Sequence, residues 1–442
     1  MTLLKIVAAI TLGSVCALAA EPGWPAVEKH AVEFLQEYVR IASVNPPADT
    51  RATAELLKRE LAAAGIEATT YQSGPDGKTN LIARLPGRDR SKRALVLLNH
   101  MDVVPVDPAR WKFPPFGADI VQGTIWGRGT LDMKSTGVMQ VAALILLKQL
   151  GIVPPRDIVL VSTCDEETGG TNGAGWMIQH HWDEMNPEYV LDEGGFGSRD
   201  VFATGKLVFG VSVIDKQVLW LRVKATGTSG HGSQPIPDNA NDLLMRAIAK
   251  AKEFPPAKRP NSLVTGMKDA VGTFASNKFI NALQQDTMSV TSLRSGVGTP
   301  PKANVIPSVA EATLDCRLLP GENAAEFLSE IKARINDPHV SVERISSKPD
   351  DPSPSRTDTA LYKAVETAIH QEHPDAAVMP IIVPYGTDGQ KFRVRGVTAY
   401  GLMPMVIDAA TLATMHSDSE HISLEQFRQG LHIYFDILRS NW

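Results

Sequence analysis

Three consecutive acids stand directly behind an apolar run. In "STCDEETGG", residues 162–170, Asp165, Glu166 and Glu167 follow the run 158–161. Taken by itself, an acidic triplet is usually a solvated turn. Carboxylates can also act as general bases or bind divalent cations. The segment is therefore a candidate for proton transfer or metal binding.

Other ionisable side chains occupy the same kind of position. His100, Asp102 and Asp192 follow apolar runs, and Asp132 precedes a predicted helix. Each has an ordinary explanation when taken singly: a core or loop pair, a turn, or, for Asp132, a helix N-cap. In open α/β sheets, however, ligand sites lie outside the carboxyl ends of the strands. All these groups could therefore converge on one cleft.

A cluster of bare carboxylates needs a positive partner. Acids held this close repel one another and raise one another's pKa, and a bound metal is the simplest compensation. Imidazole and carboxylate ligands without thiolate suit zinc, cobalt or manganese in a working site. Two ions would explain the number of acids.

The apolar runs alternate with helical patterns. This alternation predicts an α/β catalytic domain with a largely parallel sheet and helices on both faces. The predicted elements before residue 216 include strands at 81–82, 94–98, 158–161 and 189–191 and a helix at 134–150.

From about residue 216 the pattern changes and predicts a smaller α+β domain inserted in the larger one. Its predicted elements are strands 218–223 and 312–317 and helices 243–254 and 324–335. The Pro/Ser/Asp-rich stretch 346–358 predicts a linker back. We therefore expect a catalytic metal-binding domain at 21–215 and 347–442, with a lid or dimerisation domain at 216–346.

Composition favours an ordinary globular protein. The 442 residues are 43% hydrophobic, and 44 Lys and Arg against 49 Asp and Glu give a formal charge of -5. This balance suggests no basic surface for nucleic acid, so we do not expect a nucleic-acid partner. Beyond residue 20 only Cys164 and Cys316 occur, which is too few for a disulfide framework.

The first twenty residues resemble a secretory signal. A lysine, an apolar stretch and the small-residue ending "ALA" fit a signal peptide at 1–20. We therefore expect an exported protein, periplasmic or secreted, with no membrane span in the mature chain. An uncleaved anchor and lipidation at Cys16 are the alternatives.

Seven motifs occur in an order that resembles a known family. They are "LLNHMDVVP", "WGRGTLDMKS", "DEETGG", "LDEGG", "TSGHGSQP", "NVIPSVAEATLDCRLLPG" and "MHSDSEHIS". Together they resemble the co-catalytic dizinc peptidases and amidohydrolases, which include aminoacylase, carboxypeptidase S, glutamate carboxypeptidase and succinyl-diaminopimelate desuccinylase. "VLDEGG" is most similar to the carboxypeptidase S branch.

The resemblance implies a site with two divalent ions, zinc first, with cobalt or manganese as alternatives. By match, His100 and Asp192 hold one ion, Glu167 and His416 hold the other, and Asp132 bridges them. The ligand set is therefore expected to contain two imidazoles and three carboxylates.

Further roles also follow from the resemblance. Asp102 corresponds to an acid that orients the His100 ring, and Glu166 corresponds to the general base, which leaves Asp165 without a role. The family pairs its last histidine ligand with a glutamate four residues later. His416 and Glu420 satisfy this spacing, so His421 is expected to lie outside the ligand set.

The inserted domain is expected to complete the site. By resemblance, His231 steadies the oxyanion, often in the site of a partner subunit, which implies a homodimer. Asn304 and Arg317 match a substrate-binding pair, with the arginine forked onto a carboxylate, although a surface pair with Asp315 is an alternative. Gly386 and Thr387 match a late loop at the carboxylate end of the substrate.

Other chemistries are less well supported. "GTSGH" lacks the last glycine of a serine-hydrolase elbow, acids beside Cys164 disfavour its thiolate, and "GRGTLD" lacks the third glycine of a dinucleotide loop.

The expected function is hydrolysis of an amide next to a free carboxylate, in short peptides or N-acyl amino acids. The alternative is a catalytically idle, metal-containing protein that binds peptides or amino acids.

Overall fold

The structure, a computed structural model, describes residues 22–253, 261–345 and 353–442. The segment interpreted as a signal peptide and residues 346–352 of the expected linker lie outside these ranges. Within the described chain, no helix combines the length and the apolar character that a membrane crossing requires.

The strands and helices alternate along the larger part of the chain. The strands are β1 (Ala68–Gln72), β2 (Thr79–Leu85), β3 (Ala94–His100), β4 (Asp119–Val121), β5 (Thr124–Trp126), β6 (Ile158–Thr163), β7 (Pro187–Ser198), β8 (Val208–Asp215), β9 (Gln217–Thr226), β10 (Gly230–His231), β11 (Thr287–Ser295), β12 (Val305–Ile306), β13 (Val309–Leu318), β14 (Val340–Arg344), β15 (Ala377–Val383), β16 (Thr398–Val406) and β17 (His421–Ser423). The helices are α1 (Trp24–Arg40), α2 (Arg51–Ala63), α3 (Lys134–Gln149), α4 (Ala174–His180), α5 (Trp182–Met185), α6 (Ala240–Lys252), α7 (Ser262–Val271), α8 (Lys278–Leu283), α9 (Ala324–Ile335), α10 (Ala360–Glu372), α11 (Gly389–Arg393), α12 (Ala409–Leu412) and α13 (Leu424–Arg439).

An eight-stranded mixed sheet forms the centre of the larger domain. Its strand order is β1-β2-β6-β3-β7-β16-β8-β15. The central strands β6, β3, β7 and β16 run parallel, whereas β2 and β8 pair antiparallel with their neighbours in this group. The predicted α/β class with a largely parallel sheet is confirmed.

Helices cover both faces of this sheet. Leu95 and Leu97 of β3 pack in a core with α1, α3, α10 and α13, whereas Val96 and Leu98 pack in a second core with α4 and α11. Successive strand residues point to opposite faces, so a strand covered on both sides must be apolar throughout. This explains why the central strands are continuous apolar runs.

A smaller domain follows β8. Its antiparallel sheet has the order β11-β13-β9-β14, and α6 and α9 pack on one face around a separate apolar core. Strand β13 alternates between buried and partly exposed residues, as expected for a sheet covered on one side.

One segment of the expected inserted domain packs elsewhere. Met267 of α7 and Phe279, Ile280 and Leu283 of α8 belong to the core of the larger domain. The range 216–346 is therefore not a single packed unit. Helices α7 and α8 return to the large sheet between the two halves of the small one, because their apolar residues are buried there.

Candidate active site

The sequence elements bring five ligand-type side chains to one edge of the large sheet. His100 ends β3, Glu167 lies in a short 3-10 helix directly after β6, and Glu193 lies in β7. Asp132 lies two residues before the start of α3, and His416 lies in the loop before β17. Because β6, β3 and β7 are parallel neighbours, the groups at their carboxyl ends meet.

Asp132 lies between two imidazoles. Its Oδ1 is 3.0 Å from His100 Nε2, and its Oδ2 is 3.0 Å from His416 Nε2. A second carboxylate approaches each ring: Glu193 Oε1 is 3.6 Å from His100 Nε2, and Glu167 Oε2 is 3.4 Å from His416 Nε2. The five side chains, His100, Asp132, Glu167, Glu193 and His416, thus form one cluster. It consists of two groups, each with one imidazole, one glutamate and one oxygen of Asp132.

The electrostatics of these groups favour bound cations. Burial and the charge of Asp132 raise the pKa of Glu167 to about 7 and the pKa of Glu193 well above its usual value. Burial alone would raise the pKa of Asp132, but hydrogen bonds with His100 and His416 hold it well below the usual range. Divalent ions would remove this mutual repulsion.

An unsatisfied atom also fits this donor set. Glu167 Oε1 is buried and has no hydrogen-bond partner among the described residues. His100, Asp132 and Glu167 each offer one ligand atom within 4.8 Å of the others, and so do His100, Glu166 and Glu193. Oxygen and nitrogen donors without thiolate suit zinc, cobalt or manganese.

The structure corrects one predicted ligand. Asp192 was expected to share an ion with His100, but its Oδ2 accepts a hydrogen bond of 2.6 Å from the Gly389 backbone N–H. Its neighbour Glu193 faces His100 instead. Consecutive residues of a strand point to opposite faces, so only one of the two acids can reach the cluster. We therefore replace Asp192 with Glu193 in the candidate ligand set.

Asp102 connects His100 to the acidic turn. The Nδ1 of His100 lies 2.9 Å from the Asp102 backbone oxygen and 3.6 Å from its Oδ1. The Asp102 carboxylate also accepts hydrogen bonds from the backbone N–H groups of Glu166 and Glu167, at 3.2 Å each, and from Asn45 Nδ2 at 2.7 Å. The Asp102 backbone oxygen thus contacts the His100 ring, and its carboxylate positions the backbone of both glutamates. Its predicted role in orienting the His100 ring stays a prediction.

Glu166 lies beside the cluster and lines the cleft. Its carboxylate offers an oxygen within 4.8 Å of ligand atoms of His100 and Glu193. This position suits a base acting on water at the group that contains His100 and Glu193, and it would also permit metal binding. The role of Glu166 as general base remains a prediction.

Asp165 is not a residue without a role. It has a positive φ of 77°, pairs with Lys78, and accepts hydrogen bonds from Thr168 Oγ1 at 2.7 Å and from the Asn172 backbone N–H and Nδ2 at 3.0 Å each. Burial would raise the pKa of Asp165, but these donors, Lys78 first, lower it to about 2. Asp165 therefore holds the turn that carries Glu166.

Replacing Lys78 with methionine is expected to lower the free energy of unfolding by about 3 kcal/mol, because the buried Asp165 loses its counter-charge. The side chains are 14% and 4% exposed. Urea denaturation of the chelated protein measures this. Lys29→Met is the matched control, since the pair Lys29–Glu33 is 73% and 56% exposed and its loss should leave the free energy of unfolding nearly unchanged. Equal effects would contradict the assignment.

The same measurement at lower pH has a definite sign. Folding lowers the pKa of Asp165 from 3.8 to about 2, so its charge contributes stability fully above 3.8 and loses it as pH falls toward 2. The difference between the wild type and Lys78→Met should therefore be largest near neutral pH and should narrow below about pH 4.

Glu420 holds the loop that presents Asp132. Fully buried, it accepts hydrogen bonds from the backbone N–H groups of Gly129 at 3.0 Å, Leu131 at 2.8 Å and Asp132 at 3.2 Å, and it pairs with Arg128. The spacing His416-x-x-x-Glu420 therefore joins a candidate ligand to the residue that positions the bridging aspartate.

His421 points away from the cluster. Its ring stacks on Trp126, with centroids 4.2 Å apart, and its Nδ1 lies 2.7 Å from the Ser419 oxygen. This agrees with the choice of His416 over His421. Cys164 is buried, which raises the pKa of its thiol to about 12 and makes it a poor nucleophile.

A cleft of about 460 Å³ is lined by four of the five clustered side chains, all except His100. Its lining residues are Asp132, Glu166, Glu167, Glu193, Lys278, Phe279, Ala282, Arg317, Pro384, Tyr385, Gly386, Leu412, Ala413, Met415 and His416. Arg317 and Gly386, both expected to bind substrate, line this cleft, and their contact with substrate stays a prediction. Arg317 is forked onto Asp315 at 2.7 and 3.0 Å, so the alternative ion pair is also present.

Thr387 does not fit its predicted contact with substrate. It is 2% exposed, and both its backbone N–H and its hydroxyl donate to Asp215 Oδ2, at 2.8 and 3.1 Å. Asp215 also pairs with Arg393 at 2.9 Å. Thr387 is therefore part of a buried polar network with Asp215 and Arg393. Its predicted contact with substrate does not agree with this position.

His231 and Asn304 lie together on the smaller domain. His231 pairs with Val305 between β10 and β12, and the Gly232 backbone N–H donates to the backbone oxygen of Asn304 at 2.8 Å. Both side chains are exposed, the His231 ring bonds Ser233 at 2.7 Å, and neither residue lines the cleft of its own chain. The structure therefore joins the two residues to each other but not to the cluster.

The fold and site together define a metal-dependent hydrolase. Residues 96–440 match the model of peptidase family M20/M25/M40, and the chain belongs to that family. The resemblance identified in the sequence is thereby confirmed.

Relatives and solved structures agree with this assignment. The chain is 28% identical over 390 residues to probable carboxypeptidase S-like 2 of Dictyostelium discoideum, covering 82% of this chain and 74% of that protein. It is 26% identical over 414 residues to aminoacylase-1 of Sus scrofa, covering 93% and 95%. The M20 family metallo-carboxypeptidase Sso-CP2 from Sulfolobus solfataricus superposes with a TM-score of 0.71 at 19% identity, covering 92% and 98%. The protein is thus a hydrolase related to carboxypeptidases and aminoacylases.

Proposed function

We propose that the protein hydrolyses an amide bond next to a free carboxylate, in short peptides or N-acyl amino acids, with two divalent metal ions, zinc first. The arrangement of one imidazole and one glutamate on each side of Asp132 carries this proposal. Carboxypeptidase and aminoacylase relatives support the substrate class.

The chain's own residues account for proton transfer and orientation. When bound, divalent ions polarise a carbonyl oxygen and make water more acidic. The Glu166 carboxylate accepts a proton from the attacking water and passes it to the leaving nitrogen. Asp102 orients both the His100 ring and the backbone of Glu166. The cleft residues beyond the acids bind the remainder of the substrate.

Turnover of a substrate panel tests this function. We expect the purified protein to release amino acid from N-acyl amino acids or C-terminally free dipeptides, to lose activity with a chelator, and to regain it with zinc, cobalt or manganese. Binding without turnover after metal is restored would support an idle binding protein instead.

We further infer a homodimer formed through the smaller domain. Strand β11 is an outer strand of its sheet, and its residue Leu293 is 65% exposed. Met245 of α6 is 61% exposed. Exposed outer strands pair readily with a second strand. A partner would also give His231 a cleft to reach, since it does not line its own.

Placing a charge on this strand is expected to separate the subunits. Leu293→Lys should convert a dimer into a monomer in sedimentation-velocity experiments and lower activity, because a charge is unfavourable at a buried interface. Val153→Lys is the control, as Val153 is 51% exposed in the larger domain. A monomeric, fully active wild type, or a Leu293→Lys variant that stays dimeric, would contradict the inference.

Export to the periplasm or medium is likewise a proposal. It is supported by the apolar segment 1–20 and its small-residue ending. The N-terminus of protein recovered from the expressing cells tests it, with a start near Ala20 or Glu21 expected and an intact Met1 or a lipid on Cys16 contradicting it.

A further inference from the structure

The cleft contains one cation whose charge no described residue neutralises. Lys278 lines the cleft, is exposed, and makes no ion pair or hydrogen bond within residues 22–253, 261–345 and 353–442. Arg317 also lines the cleft, but Asp315 already holds its guanidinium at 2.7 and 3.0 Å. The ammonium group of Lys278 is therefore the cation available to an anionic ligand.

The position of Lys278 is fixed by its neighbours. It is the first residue of α8, and the next residue, Phe279, packs edge-on against Phe196 and Phe202 with ring centroids 5.5 and 5.9 Å apart. Before it, Asn277 Nδ2 donates to the Val201 oxygen at 2.8 Å. Lys278 therefore projects from an anchored helix.

A buried lysine holds the other end of this helix. Lys216 Nζ donates to the backbone oxygens of Ala282 at 2.9 Å and Gln285 at 2.7 Å, and to Thr287 Oγ1 at 3.3 Å. Helix α8 is thus attached at both ends to the larger domain and to the start of β11. This explains why α8 leaves the small domain and reaches the cleft.

The cleft as a whole is acidic where the ions are expected. Asp132, Glu166, Glu167 and Glu193 line it together with Lys278. Two divalent ions would offset the four negative charges of these acids, so a substrate with a free carboxylate still needs a positive group of its own that is not already paired. Lysine provides a flexible point charge for such a contact.

We propose that Lys278 is a specificity-determining residue that binds the free carboxylate of the substrate. This rests on the proposed amidohydrolase function and deepens it: substrates whose carboxylate is blocked as an amide are discriminated against mainly through this lysine. Arg317 is paired with Asp315 and lines the same cleft.

The test compares Lys278→Met with the wild type on N-acetyl-methionine and its carboxamide. We expect KM for the carboxylate to rise roughly 10- to 100-fold, as for loss of a hydrogen bond to a charged group. The change in kcat should be small, and the preference for carboxylate over carboxamide should fall by the same factor. Lys278→Arg should retain most of the preference. Lys268→Met, an exposed lysine of α7 outside the cleft, is the matched control.

Several outcomes would overturn the proposal. An unchanged preference would do so, as would an effect seen only with N-acetyl-glutamate, which would assign Lys278 to a second carboxylate. A change in bound metal or in kcat alone would assign Lys278 to charge balance among the acids. Lys278→Gln provides a second uncharged variant, and circular dichroism spectra that match the wild type exclude misfolding of both variants. If the metal-loaded wild type hydrolyses neither substrate class, the proposed function fails instead.

Discussion

Replacing Glu166 with glutamine is expected to lower kcat by about 10²- to 10⁴-fold while the bound metal stays unchanged. Removal of a general acid–base group typically has an effect of this size. Glutamine keeps the size of the side chain but cannot accept a proton from water. The Glu166 backbone N–H still donates to Asp102 in this variant, so the turn is expected to keep its conformation.

The neighbouring variant provides the contrast. Glu167→Gln should lose activity together with metal, because Glu167 Oε2 lies 3.4 Å from His416 Nε2 and its Oε1 has no partner in the described part of the chain. Metal analysis by mass spectrometry and steady-state kinetics on both variants separate a base from a ligand. If Glu166→Gln loses metal in the same proportion, Glu166 is a ligand and the assigned roles are wrong.

The second large effect distinguishes two adjacent acids. Glu193→Gln should bind about one ion per chain instead of two and lose most activity, because His100 and one oxygen of Asp132 cannot complete a tetrahedral site without a third protein ligand. Asp192→Asn should keep both ions, since the asparagine oxygen can still accept the hydrogen bond from the Gly389 backbone N–H.

This pair of variants tests the main correction to the sequence interpretation. Titration of the metal-free proteins with zinc, followed by calorimetry, measures the stoichiometry. The original prediction, in which Asp192 is the ligand, requires the opposite result: metal loss in Asp192→Asn and two ions in Glu193→Gln. Circular dichroism must show that both variants remain folded, because both side chains are buried.

Much of the site follows from the sequence because its signals are local. His100, Asp132 and Glu167 each follow or precede an element that its own apolar pattern predicts, and parallel strands bring such ends together. His416 was chosen by its spacing to Glu420, and the structure gives that spacing a purpose, since Glu420 binds the backbone of the Asp132 loop.

The errors concern information that local patterns do not contain. Whether Asp192 or Glu193 faces the cluster depends on the face that each residue of β7 presents, and a strand buried on both sides has no polar alternation to reveal it. Thr387 was assigned by its place in a motif, but a tertiary contact with Asp215 decides its burial.

Other features depend on distant partners. The role of Asp165 depends on Lys78, 87 residues earlier in the chain. The return of α7 and α8 to the larger domain depends on where Phe279 finds its aromatic partners. The three acids directly after β6 therefore have two different roles. Asp165 holds the conformation of the turn, and Glu166 and Glu167 line the cleft.

X-ray anomalous scattering from crystals of the zinc-loaded protein tests the central claim most directly. Two zinc peaks are expected on either side of the Asp132 carboxylate, one against His100 and Glu193 and the other against His416 and Glu167. The Glu166 carboxylate should lie outside both coordination shells. A single zinc peak, or zinc bound to Asp192 with Glu193 turned away, would contradict the account.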